Sequence, residues 1–106
     1  MSVEKINKQK ELSFGTARNV YWWDGSWTAS SNGIIVARAE WTTGGGAGYW
    51  YIKDATDNIV VANISTPTAN GLSATSAFPV KKGHSYTTDN MNGVSVAVAN
   101  FFPFQY

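Results

Sequence analysis

The chain contains no cysteine, which excludes disulfide bridges and thiolate metal sites and leaves the redox compartment open. It has a single histidine, His84, so a His-based metal centre would need carboxylates from elsewhere, and none stands near it at ligand spacing in the sequence. Charge is scarce as well. Only 14 % of residues are charged and the formal net charge is +1, whereas a nucleic-acid surface concentrates Lys and Arg on one face; no nucleic-acid partner is expected. No apolar run approaches the roughly 20 residues needed to cross a bilayer, so no membrane insertion is expected. The opening segment MSVEKINKQKE is charged and lacks the apolar core of a secretory signal peptide. The expectation is a chain made in the cytoplasm and soluble there.

Chemistry-bearing patterns are equally thin. His84 follows Gly83 and reads as a turn histidine. Asp54 and Asp57, in the stretch DATDN, read as turn formers between two strands, with a weak Ca²⁺ contact as the lesser alternative. The run Gly44-Gly45-Gly46-Ala47-Gly48 is not followed by the Lys-Ser/Thr and helix that a phosphate-cradling loop requires, and reads as a flexible hairpin loop. No serine or threonine sits in a nucleophile elbow. With no base, nucleophile or metal set at workable spacing, neither an enzymatic activity nor a cofactor is expected.

Aromatic residues are what the chain has in quantity: five Trp, five Tyr and five Phe in 106 residues. Each can bury on the order of 150–250 Å², so packing rather than cross-linking must hold the domain together. Residues 1–13 carry too thin an apolar stripe for a stable lone helix and read as a flexible or partner-dependent lead-in. From Phe14 to Tyr106 the composition is Gly, Ser, Thr, Asn, Val and aromatics, the profile of short strands between turns. Asp24-Gly25 is a hairpin signal. In Ile34 to Trp41, alternation places Ile35, Ala37, Ala39 and Trp41 on a buried face, and Arg38 and Glu40 together on the other. Strands are further expected at Tyr49–Lys53, Ile59–Ile64, Gly71–Phe78 as an edge strand, and a final run from Val94. Seven or eight strands at this spacing give an all-β fold, an antiparallel β-sandwich or jelly roll.

Two groups of residues are candidates for function. Trp22, Trp23, Trp27, Trp41, Tyr49 and Trp50 cluster around turns. Because consecutive strand residues face opposite sides, each adjacent aromatic pair must leave one ring outside the core. Such rings either serve as a ligand platform for sugar rings or pack an oligomer interface. The second group is the C-terminal strand. Val94, Val96 and Val98 are assigned to the core and Ser95, Ala97 and Ala99 to the other face, whose small side chains leave room for a close neighbour, either a second sheet or a second subunit. The tail Phe101, Phe102, Pro103, Phe104 and Tyr106 must be docked, since solvated termini fray; it is expected at or beside an interface between copies, with Pro103 blocking further sheet pairing by its missing donor.

Three blocks carry a resemblance: Trp27-Thr28-Ala29-Ser30-Ser31-Asn32-Gly33-Ile34-Ile35-Val36-Ala37, then Pro79-Val80-Lys81-Lys82-Gly83, then Phe101-Phe102-Pro103. Over about residues 27–104 the chain resembles the small C-terminal domains of tailed-bacteriophage tail fibres and related virion proteins. His84 stands where that pattern continues with Asp, a position of turn geometry. The resemblance implies a jelly roll of the C1q-like and tumour-necrosis-factor-like kind, a homotrimer, and a place on a virion. It implies receptor binding, recognising host-cell glycan or protein without a chemical reaction. Two alternatives stand beside it: a structural virion component such as a capsid-decorating or fibre-capping trimer whose partners are other virion proteins, and a monomeric carbohydrate-binding module.

Overall fold

The computed structural model describes residues 13–20, 25–41, 47–67 and 71–105. These form strands and no helix: β1 (Ser13–Phe14), β2 (Arg18–Val20), β3 (Ser26–Thr28), β4 (Gly33–Trp41), β5 (Gly48–Asp54), β6 (Ile59–Thr66), β7 (Ser73–Val80), β8 (Ser85–Asn92) and β9 (Val94–Gln105). All pair antiparallel. The first sheet runs β1-β9-β4-β7, with β2 sharing the β1 edge of β9, and the second runs β3-β8-β5-β6. Apart from β1 to β2 and β5 to β6, every connection passes from one sheet to the other. That wrapping makes a jelly-roll-like sandwich, and the all-β expectation holds.

Pleating sorts side chains between core and surface. In β4, Gly33, Ile35, Ala37, Ala39 and Trp41 are buried, and the residues between them are half-buried or exposed, as the alternation predicts. The second sheet contributes Trp50, Ile52, Ala62, Ile64 and Tyr86 to the same core. Four alanines, Ala37, Ala39, Ala97 and Ala99, line the inner face of the first sheet. Their small side chains leave room for the large rings facing them, the complementarity that close-packed interiors require. Trp41 lies against Gly48, where a Cβ would fall inside the indole, so the start of β5 accepts only glycine. The Trp41 Nε1 hydrogen is buried with no acceptor among the described residues.

The last strand is turned the other way from the expectation. Ala97, Ala99 and Phe101 are buried and Val96 and Val98 are half-buried on the outside, while Val94, level with Trp41 beyond a bulge, packs against the core as expected. The cause is register: Ile35 pairs with Phe101, Ala37 with Ala99 and Ala39 with Ala97, and cross-strand partners share a face. Since β4 points its small residues inward, β9 must do the same. Ala97, Ala99 and Phe101 therefore belong to the domain's own core and are not available to an interface between copies. Ser95 is the extra residue of a bulge between the Glu40–Val96 and Trp41–Val94 pairs, and its Oγ donates to the Glu40 carbonyl at 3.1 Å. Tyr106 lies outside the described residues.

Two turn readings also change. β2 and β3 belong to different sheets, as do β4 and β5, so neither pair of strands forms a hairpin; Asp24 and Gly44 to Gly46 themselves lie outside the described residues. Nor does Pro103 end the pairing of β9. Its own carbonyl accepts from Gly15 N–H at 2.7 Å, and Phe104 N–H donates to Asn32 O at 2.9 Å. The proline removes one donor and the ladder continues on both sides of it.

Candidate functional site

The six candidate aromatics separate sharply. Trp22 and Trp23 lie outside the described residues. Trp41 and Trp50 are only 1 % and 3 % exposed and fill the core, so they form no contact surface; their positions on β4 and β5 are the inward ones of the pleat. The Trp50 indole donates from Nε1 to Thr88 Oγ1 at 3.0 Å. Trp27 is half-buried, wedged edge-on against Phe101 at 4.9 Å and tilted against Tyr86 at 6.0 Å. Among the described members of the group, Tyr49 alone stands on an outward face of a sheet.

Tyr49 brings with it residues outside the candidate group, one of them Tyr51, the other tyrosine beside the glycine run. With Trp50 inward, Tyr49 and Tyr51 are both outward, and their rings stack at 5.0 Å with an interplanar angle of 16°. Register places Ser65 and Asn92 on either side of Tyr49, and Asn63 and Asn90 on either side of Tyr51. All four polar residues are exposed. The result is two short rows of amide or hydroxyl flanking an aromatic centre, about 10 Å across the strands and about 7 Å along them from ordinary sheet spacings. The Asn90 Oδ1 accepts from Met91 N–H at 2.9 Å, and the Asn92 Nδ2 donates to the Ala47 carbonyl at 2.9 Å. Each contact fixes one end of an amide. A bulge on either side of β5 borders the patch, between Tyr51 and Ile52 against β8 and between Ile52 and Lys53 against β6; on β8 the extra residue is Asp89. The signal for Tyr51 was present in the alternation of Tyr-Trp-Tyr. The asparagines could be found only once strand pairing was known.

A second cluster lies at one end of the sandwich. Asp54, 4 % exposed, accepts at Oδ1 from Thr56 N–H (2.9 Å) and Asp57 N–H (3.0 Å), and at Oδ2 from His84 Nδ1 (2.8 Å). Ala55 N–H donates to the Ser85 carbonyl, and Ser85 N–H to Thr56 Oγ1. Together these bonds staple the β5–β6 turn to the β7–β8 turn. Burial works to raise the Asp54 pKa, but the hydrogen bonds from Asp57 N–H, His84 and Thr56 N–H together outweigh it and hold the carboxyl below its usual range. Burial pushes the Tyr86 phenol up, against the opposing effect of Lys81 N–H, which donates to its oxygen at 2.9 Å. Folding thus brings together Asp54, Asp57 and His84, whose potential ligand atoms lie within 4.8 Å of one another. Asp54 already accepts three hydrogen bonds, and Lys81 Nζ sits 3.5 Å from Asp57 Oδ2. The trio is a turn clamp in which Asp54 is engaged at both oxygens, and His84 is more than a turn residue: with Thr56 it locks the two turns together.

The outward face of the first sheet is different in kind. Phe14, Ile34, Val36 and Phe102 line an open apolar depression. Phe14 packs on Phe104 at 5.5 Å and edge-on to Phe102 at 6.4 Å, yet remains 55 % exposed. Arg38 and Glu40 form an ion pair of 3.1 Å further along β4, as the sequence suggested. Of the candidate interface residues, Phe102 and Phe104 are on this face and half-buried.

Compared with protein-family models, with curated proteins and with solved structures, the chain matches none.

Proposed function

We propose that this chain is a non-enzymatic recognition domain of a tailed-bacteriophage tail fibre or related virion protein, working as a homotrimer that attaches to host-cell glycan or protein. The observation that carries the reading is the contrast between the outward faces of the two sheets. On the first sheet, Phe14, Ile34, Val36, Phe102 and Phe104 leave apolar surface uncovered, the signature of a face that meets another protein surface. On the second, exposed asparagines surround two half-buried tyrosines, a surface compatible with standing in water. A domain that hides one face in its own assembly and presents the other outward suits multivalent attachment, since linked weak sites gain avidity without new contacts. The three-fold order comes from the resemblance of residues 27–104 to fibre-tip domains.

Two measurements test the reading. Analytical ultracentrifugation of the purified chain is expected to give a trimer. Val36→Lys with Phe102→Glu is expected to give a folded monomer, because both changes place charge on the apolar face and none in the core. A wild-type monomer at micromolar concentration removes the trimer. For recognition, the labelled domain displayed on a multivalent carrier is expected to stain bacterial cells of a susceptible strain; absence of staining across a broad panel of bacteria would remove the attachment role.

A further inference from the structure

We infer that the Tyr49–Tyr51 patch is a binding site for a short neutral saccharide, an inference that rests on the recognition reading above and names its ligand class and location. The patch combines a stacked ring pair with amides directly across the strands: Ser65 and Asn92 beside Tyr49, Asn63 and Asn90 beside Tyr51. The aromatic face is electronegative, and the C–H bonds on one face of a pyranose ring present weak positive charge to it. The hydroxyls around the rim of a sugar each donate and accept, so they need both kinds of partner at the border of the ring.

The asparagines supply that pairing. Asn90 has its Oδ1 engaged by Met91 N–H, which leaves Nδ2 to donate outward. Asn92 has its Nδ2 engaged by Ala47 O, which leaves Oδ1 to accept. One donor and one acceptor therefore stand two residues apart on the same strand, each with its orientation set by the backbone, the kind of preorganisation that lowers the entropic cost of binding. Asn63 on the opposite flank adds an amide that offers both. Charge selects against an ionic ligand: the charged residues adjoining the patch are Lys53, the next outward residue of β5, and Asp89 at the bulge, and they are of opposite sign. A protein partner is the poorer fit, because protein contacts centre on an apolar core with a polar rim, and here the aromatic centre is only two half-buried rings bordered closely by four exposed polar side chains. The bulges at Asp89 and beside Lys53 bend the sheet at the border of the patch, as bulges beside binding sites do.

The test is a titration of the intact ¹⁵N-labelled chain with the methyl glycosides of glucose, galactose, rhamnose and N-acetylglucosamine, followed by backbone amide shifts. At least one glycoside is expected to move amides at 49–51, 63–65 and 90–92 in a saturable way. Tyr51→Ala and Asn90→Ala are each expected to weaken that binding about tenfold or more, while Tyr51→Phe keeps the stacking and loses less. Both alanine changes are at outward positions, and an unchanged spectrum elsewhere verifies the fold. No saturable shift with any glycoside, or shifts that map to another surface, overturns the inference. So does staining of bacterial cells that survives both alanine substitutions, in which case attachment stands and uses a different surface or a protein receptor. Saccharide binding at the patch together with absent staining leaves the site in place and removes the attachment role instead.

Discussion

Gly48 and Asp54 show how single positions constrain this sandwich. A methyl group at Gly48 has nowhere to go, because the Trp41 indole occupies the space and is itself buried in the core. Gly48→Ala is expected to lower stability by roughly 1–3 kcal/mol or more, the range for overpacking, measured by chemical denaturation. Gly25, with nothing within 4 Å of an added Cβ, is the control: Gly25→Ala should fall within about 0.5 kcal/mol of wild type. Asp54 makes a pH-dependent contribution whose sign is fixed by its environment. Its folded pKa lies below the usual 3.8. The stabilisation is thus fully present above that value and lost as pH falls through the lower, folded one. Denaturation midpoints of wild type and Asp54→Asn should converge at low pH and separate above about pH 4, with wild type the more stable. Parallel curves throughout would mean that the carboxylate charge is not what the clamp uses.

At the level of elements, alternation was readable wherever one strand could be judged alone. Ile35, Ala37, Ala39 and Trp41 face inward as their spacing says, and the turn at Asp54 to Asn58 joins β5 to β6 as a hairpin, with Asn58 at φ 58°. What a strand cannot show is which of its two faces its neighbours will bury. In β9 the valines are the more apolar set, yet the alanines go inside because they are level with Ala37 and Ala39 of β4. The same limit hid the asparagines of the tyrosine patch, which are far apart in sequence, and the meeting of His84 with Asp54, which lie in turns from different parts of the chain. Turn chemistry likewise records the backbone freedom of Asp24-Gly25 and not whether the chain stays in its sheet. The reversed β9 leads to a direct comparison. Phe101→Ala, in the core, should cost about 3–5 kcal/mol, whereas Phe104→Ala, on the outer face, should cost far less in the isolated domain and act mainly on self-association. Equal losses of unfolding free energy for the two at a concentration where the chain is monomeric would contradict the assigned faces.

On the scale of the whole molecule, the outward faces of the two sheets differ in kind, and in the trimer proposed above that difference would give the assembly a polarity: tyrosine patch out, phenylalanine face in. Raising salt should therefore strengthen or leave unchanged the association of copies, since apolar contact dominates that face, and sedimentation at low and high ionic strength checks it. Dissociation by salt would point to the Arg38–Glu40 region as the main contact instead. The placement of β9 has a consequence for how the domain comes into being. It is the longest strand among the described residues, it lies between β1 and β2 on one side and β4 on the other, and it is the last of the strands in chain order. During synthesis, β4 and β7 are made with the β9 edge of β4 still unpaired, and the inner alanines of the first sheet lack half their number. The sheet cannot close until β9 has been made, so folding of the first sheet waits for that strand, proceeds through contacts distant in sequence, and is slow in the way such topologies are. Until then an open strand edge is exposed, which makes the interval before β9 docks the period in which nascent chains are most prone to aggregate.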